Sequence, residues 1–98
     1  MLMDIEFDPN KDKSNIIKHG ISLARAREFD LVKLLEDDRK NYGETRYRAF
    51  GFVGKVGHVL AFTVVERRTG AKRVRAISLR AATETEIERY GLSKKGRR

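Results

Sequence analysis

The stretch YRAFGFVGKVGHVLAFTVVERRTGAKRVRAIS, residues 47–78, decides the fold. Runs rich in β-branched and aromatic residues are separated by breaks that carry glycine, the pattern of an antiparallel meander. Tyr47 to Val53 form the first predicted strand. Gly54-Lys55-Val56-Gly57 is a turn, and His58 to Glu66 form a second, largely apolar strand. Arg67-Arg68-Thr69-Gly70 turns the chain into a third strand, Lys72 to Ser78. Downstream, Thr83-Glu84-Thr85-Glu86 has the spacing of a capping box, in which hydroxyl and carboxylate each satisfy a backbone N–H at a helix start. The last helix is therefore predicted with Thr83 as N-cap and Glu86 at its third position, running to about Tyr90, where Gly91 stops it.

Upstream of the meander, Asp8-Pro9 opens a helix, because Asp accepts from free N–H groups and Pro suits the first helical position. It is predicted to reach about Lys18, with Gly20 as its C-terminal cap. Ser22 is the next N-cap and opens a second helix through Phe29. Leu31 to Leu35 fit either an extension of that helix or a short strand, and Glu36 to Gly43 read as an exposed loop. Ile5 and Phe7 alternate in a first strand near residues 3–7. The predicted order is β-α-α-β-β-β-α, an α+β domain with helices packed on a mainly antiparallel sheet. One domain is expected over residues 1–92, with a mobile basic tail over 93–98.

The chain has 98 residues, 37% of them charged, so a single modest core is expected. There is no cysteine, which excludes disulfides, thiolate zinc sites and cysteine nucleophiles. No apolar run approaches the ~18 residues of a membrane span. The acidic start Met1-Leu2-Met3-Asp4-Ile5-Glu6 lacks a signal-peptide layout. A cytoplasmic protein with no membrane contact is the expectation. Net charge is +8, unevenly spread. Residues 1–45 hold eight Lys and Arg against ten Asp and Glu, and residues 46–98 hold fourteen against four. A basic half joined to a mildly acidic one points to a surface that faces a polyanion. Two distant histidines offer no metal-ligand spacing, so no metal is expected. No P-loop and no Gly-x-Ser-x-Gly elbow is present.

Four segments resemble the BrnT family of toxins. Phe7-Asp8-Pro9-Asn10-Lys11, then Asn15, then Lys18-His19-Gly20-Ile21 is similar to the family's opening, with Phe7 where Trp is commoner. Tyr42-Gly43-Glu44 with Arg46 resembles its Gly-Glu-x-Arg segment. Arg75-Ala76-Ile77-Ser78-Leu79-Arg80 resembles its Arg-x-Ile-Ser-x-Arg stretch, followed by Glu86 and Tyr90. The similarity spans about residues 5–90. It implies a RelE-like ribonuclease fold and a toxin that cleaves RNA without a metal or other cofactor and arrests growth. It also implies a BrnA-like antitoxin that silences the toxin in a hetero-oligomer of two toxins and two antitoxins, with DNA contacted only through the antitoxin.

Metal-free RNA cleavage needs a base for the 2′-OH, cations around the crowded phosphorus, and an acid for the leaving 5′-oxygen. Arginine suits the second task, since its planar donors match phosphate oxygens in pairs. Arg80 and Arg75 are expected to grip the scissile phosphate, aided by Arg67 or Arg68. For proton transfer His19 comes first, because histidine titrates near neutral pH; its simpler reading is a cap on the carbonyls of the first helix. Glu44, two residues from Arg46, is the next candidate, with a surface ion pair as the alternative. Lys11, Lys18, Arg46, Tyr47, Arg68 and Arg73 are the candidate RNA contacts. Tyr47 and Tyr90 either stack on bases or pack in the core. His58, just after a turn, is expected to be exposed.

The competing reading is a non-catalytic RNA-binding module similar to a double-stranded-RNA-binding domain, which also has a helix, a three-stranded meander and a final helix. Glu84 and Glu86 at the start of the last helix would repel phosphate there, which counts against it. A third reading is an interaction protein whose basic sheet docks an acidic peptide.

Overall fold

The computed structural model describes residues 4–93. All but the first residue of the basic tail expected from residue 93 lies outside the described residues. The elements are β1 (Ile5–Glu6), α1 (Pro9–His19), a 3₁₀ helix (Leu23–Glu28), β2 (Asp30–Asp37), β3 (Arg46–Val53), β4 (Val56–Glu66), β5 (Lys72–Ala81) and α2 (Glu84–Tyr90). The five strands form one sheet in the order β1-β5-β4-β3-β2. Every pair is antiparallel except β1 with β5. The α+β class and the mainly antiparallel sheet stand as expected, but the described residues hold one strand more than the sequence order, β2.

The capping signals act where they were read. The Asp8 side chain accepts from the Asn10 N–H, Pro9 begins α1, and Gly20 ends it at φ 72°. Thr83 and Glu86 make both halves of the capping box of α2, which ends at Gly91. Ser22 also caps, but the segment it opens is a 3₁₀ helix and not an α-helix. Leu23, Ala26 and Phe29 recur every third residue and are all fully buried. A helix with three residues per turn stacks those side chains on one line, which an α-helix cannot do.

Residues 31–35 belong to a strand, and Glu36 and Asp37 continue it. β2 is the sheet's edge, with Leu31, Val32 and Leu34 nearly half exposed. Its apolar residues on both faces blur the alternation that marks a strand. Asp37, placed by the sequence in an exposed loop, is 6% exposed. Arg39 holds it through a fork at 2.7 and 2.8 Å, and the Tyr42 hydroxyl donates to it as well.

Two apolar clusters lie on opposite faces of the sheet. Ala49 and Val53 of β3 join Leu60, Phe62, Val74, Ala76 and Leu79 under the 3₁₀ helix residues Leu23 and Ala26. Phe50 and Phe52, the alternate residues of β3, pack with Val59 and Leu92, against Ile87 and Tyr90 of α2. Successive side chains of a strand point to opposite faces, so the 3₁₀ helix and α2 flank the sheet from different sides. Gly57 lets the chain after α2 approach: a Cβ there would sit 2.8 Å from Leu92 Cβ.

Asn15 joins α1 to the sheet. It is 4% exposed. Its amide donates to the carbonyls of Leu79 and Ile21 and accepts from the Leu79 N–H. β1 pairs with β5 only at Val74 and Arg75. Further along β5 the Asn15 amide, chemically a peptide group, takes the place of the missing strand.

Candidate functional site

α2 covers only one end of its face of the sheet. Cross-strand partners put Arg75 and Thr63 in one row, Arg48, Ala61 and Ser78 in the next, and Phe50, Val59 and Arg80 in a third. Since cross-strand partners share a face, Arg48, Arg75 and Arg80 rise from the face that carries α2. The extra residue in β5 between Ala76 and Ser78 is Ile77, opposite the Ala61–Phe62 step. This bulge keeps Arg75 and Arg80, five residues apart, on one side.

Glu6 gathers three guanidiniums. Arg67 donates to its Oε1 at 2.7 Å, and Arg75 donates twice to Oε2, at 3.0 and 2.9 Å. Arg73 lies 3.6 Å from Oε1 and 3.7 Å from Asp4. The bonds from Arg75 hold the Glu6 carboxyl below its usual pKa. A cavity of about 410 Å³ opens beside this cluster, lined by Glu6, Lys11, Glu44, Arg46, Thr63, Arg75 and Ile77 among others. Glu44 accepts from Arg46 Nε at 3.2 Å, and the Arg46 guanidinium lies 4.1 Å from the centre of the Tyr42 ring. An adjoining groove runs along the β4–β5 turn and includes Arg68.

Arg80 sits elsewhere. Its fork binds Glu86 at 2.8 and 2.9 Å. That bond pulls the Glu86 carboxyl down to about 2 and raises Arg80. Asp37 is likewise held low by Arg39. These carboxylates therefore stay ionised at neutral pH and act as fixed counter-charges rather than proton donors. The sequence expected Arg75 and Arg80 to close on one point. They share a face, but each is turned to its own carboxylate, four β4 residues apart in register, about 13 Å.

The other expected residues divide. Lys11 lines the cavity, whereas Lys18 and His19 lie exposed at the far end of α1. Gly20, not the imidazole, caps that helix. Tyr47 lies on the opposite face, stacked on Phe62 with ring centres 5.3 Å apart, and packs against the core. Tyr90 stacks on Phe50 at 4.1 Å. His58 is not exposed but 8% accessible, with Nδ1 at 2.9 Å from the Val56 carbonyl oxygen. Sequence reading missed Glu6, Asp37, Arg39 and Arg48. Arg48 was within reach, because it follows Arg46 at the strand period of two. The others depend on strand pairing and loop closure.

Among the described residues, no group of three His, Asp or Glu side chains is placed to hold a metal ion, and no helix is long and apolar enough to cross a membrane. Neither the curated proteins nor the solved structures contain a significant match. The family model described as "Ribonuclease toxin, BrnT, of type II toxin-antitoxin system" matches residues 7–86. That span runs from the residue after Glu6 to the partner of Arg80, and takes in the cavity and the arginine rows between them. The chain belongs to the BrnT family of type II toxin–antitoxin ribonuclease toxins.

Proposed function

We propose that this toxin cuts RNA without a metal ion, in the cavity between the start of α1 and the segment that leads into β3. The observation that carries this reading is the joint lining of one concavity by Lys11, Arg46, Arg75 and Glu44. Arg75 and Arg46 hold the non-bridging oxygens of the scissile phosphate, and their charge offsets the extra charge that builds on phosphorus. Arg67 and Arg73, fixed with Arg75 on Glu6, add to the positive field, and Arg68 guides the strand along the adjoining groove. Glu44 takes the 2′-OH proton. The 2′-oxygen then bonds to phosphorus, the bond to the 5′-oxygen breaks, and Lys11 supplies the proton to that oxygen. The products are a 2′,3′-cyclic phosphate and a 5′-hydroxyl. Lys18 and His19, at the other end of α1, stay outside the chemical step. In the cell the reaction arrests growth, and a BrnA-like antitoxin silences it in an assembly of two toxins and two antitoxins that reaches DNA through the antitoxin.

The test is incubation of the purified protein with single-stranded RNA in EDTA, with the new ends mapped. Cleavage leaving cyclic phosphates is expected. Arg75→Ala and Glu44→Gln should each lower the rate by about 10²-fold or more, while His19→Ala cuts at the wild-type rate. A strict need for added magnesium refutes the metal-free step. Retarded but uncut RNA favours the non-catalytic binding module.

A further inference from the structure

Beyond the cavity, the same sheet face carries a second group of arginines. Arg48 on β3 and Arg80 on β5 flank Ala61 and Ser78, whose short side chains leave a low floor between them. The Arg48 guanidinium carbon lies 5.6 Å from the centre of the Phe50 ring, and its Nε is buried with no hydrogen-bond partner. A buried donor left unpaired is costly, and an oxygen acceptor that meets it as the side chain turns outward removes that cost. Arg80 is held by Glu86, so two guanidiniums against one carboxylate leave this pair with a net positive charge.

We propose that Arg48 and Arg80 form a second phosphate subsite, which takes a backbone phosphate of single-stranded RNA roughly two internucleotide steps from the bond that is cut. The proposal rests on the cleavage site described above for its reference point. The spacing comes from the register: Arg75 stands opposite Thr63 and Arg80 opposite Val59, about 13 Å along β4. Glu86 fixes the fork of Arg80, so little side-chain freedom is lost there when an anion arrives. Between Arg75 and Arg80 the strand crosses the short side chains of Ala61 and Ser78, in the row that Arg48 ends. α2 closes the track beyond Arg80, because Tyr90 and Leu92 pack on Phe50, Phe52 and Val59.

Arg48→Ala is the variant of choice, since among the described residues Arg48 anchors no carboxylate and its loss strands no buried charge. Two readouts are taken on protein shown by thermal melting to be folded. The first is binding of a ten-nucleotide all-2′-deoxy strand, which lacks the attacking hydroxyl and cannot be cut. Arg48→Ala is expected to weaken it about tenfold and to flatten the dependence of log K on log salt by about one phosphate contact. The second is kcat/KM on a diribonucleotide and on a ten-nucleotide RNA, where the loss should be about tenfold greater for the longer substrate. Binding of the deoxy strand equal to wild type, with the same salt slope, overturns the subsite whatever the cleavage results. Equal losses on the short and long RNA overturn it too, because they place Arg48 at the cut itself. If wild-type protein cuts neither RNA but Arg48→Ala still weakens the deoxy strand with a flatter salt slope, the subsite stands and the cleavage reading falls.

Discussion

Replacing Asn15 by alanine removes three hydrogen bonds at once, and the structure says where the cost falls. The amide donates to the Ile21 carbonyl at 2.9 Å and the Leu79 carbonyl at 2.8 Å, and accepts from the Leu79 N–H at 3.0 Å. The Ile21 carbonyl is near the surface and can turn to water. The Leu79 peptide cannot, because Leu79 is fully buried and β1 ends short of it. Each buried group left unpaired costs about 1–3 kcal/mol, so the two ends of this peptide together cost about 3–4 kcal/mol. A domain of this size has about 5–10 kcal/mol in total, so the loss is a large fraction of its stability. With a urea m-value of about 1.5 kcal/mol/M, the midpoint should fall by about 2 M at unchanged m. Asn15→Asp keeps the shape but sets an acceptor against two carbonyl oxygens, and should be at least as damaging at pH 7. A loss below about 1 kcal/mol for Asn15→Ala would mean that water serves the Leu79 peptide and that the amide does not replace a strand there.

The Glu86 carboxyl, lowered from 4.5 to about 2 by Arg80, contributes stability that is fully present above pH 4.5 and is lost as pH falls through 2. Wild type should therefore exceed Glu86→Gln by on the order of 2 kcal/mol at pH 7, with solvent around Arg80 taken into account, and the gap should close by pH 2 in urea titrations. A gap that stays constant across that range refutes the linkage. Gly57→Ala places a methyl 2.8 Å from Leu92 Cβ and 3.0 Å from its carbonyl oxygen. It should lower Tm by roughly 10 °C through displacement of the chain after α2, and an unchanged Tm would mean that this segment moves aside freely.

Local chemistry in the sequence determined the ends of the helices and the meander. Asp8 with Pro9, Gly20, Ser22, Thr83 with Glu86, and Gly91 act on backbone groups only a few residues away, so their meaning travels with the sequence. β-Branched and aromatic runs between glycine breaks marked β3, β4 and β5, although β4 begins earlier than expected, at Val56 within the expected turn, and β5 runs on past Ser78 to Ala81. Arg46, Arg67, Arg75 and Arg80 were also legible as cations, because composition alone makes the second half of the chain basic.

What the cations do to one another depended on pairing that no local signal encodes. The parallel partnership of β1 with β5 brings Glu6, 69 residues before Arg75, to its guanidinium. The closure of the loop after β2 brings Arg39 and Tyr42 onto Asp37, and the bulge at Ile77 decides which face the arginines of β5 occupy. The 3₁₀ helix and the edge strand β2 were likewise settled by packing, which selects a three-residue spacing under the sheet and tolerates apolar residues at an exposed edge. The sequence by itself thus determined the capped helices, the meander and the charge; the tertiary structure decided which charges share a cavity and which are held apart, because contacts between residues far apart in the chain are set by strand register and not by neighbours.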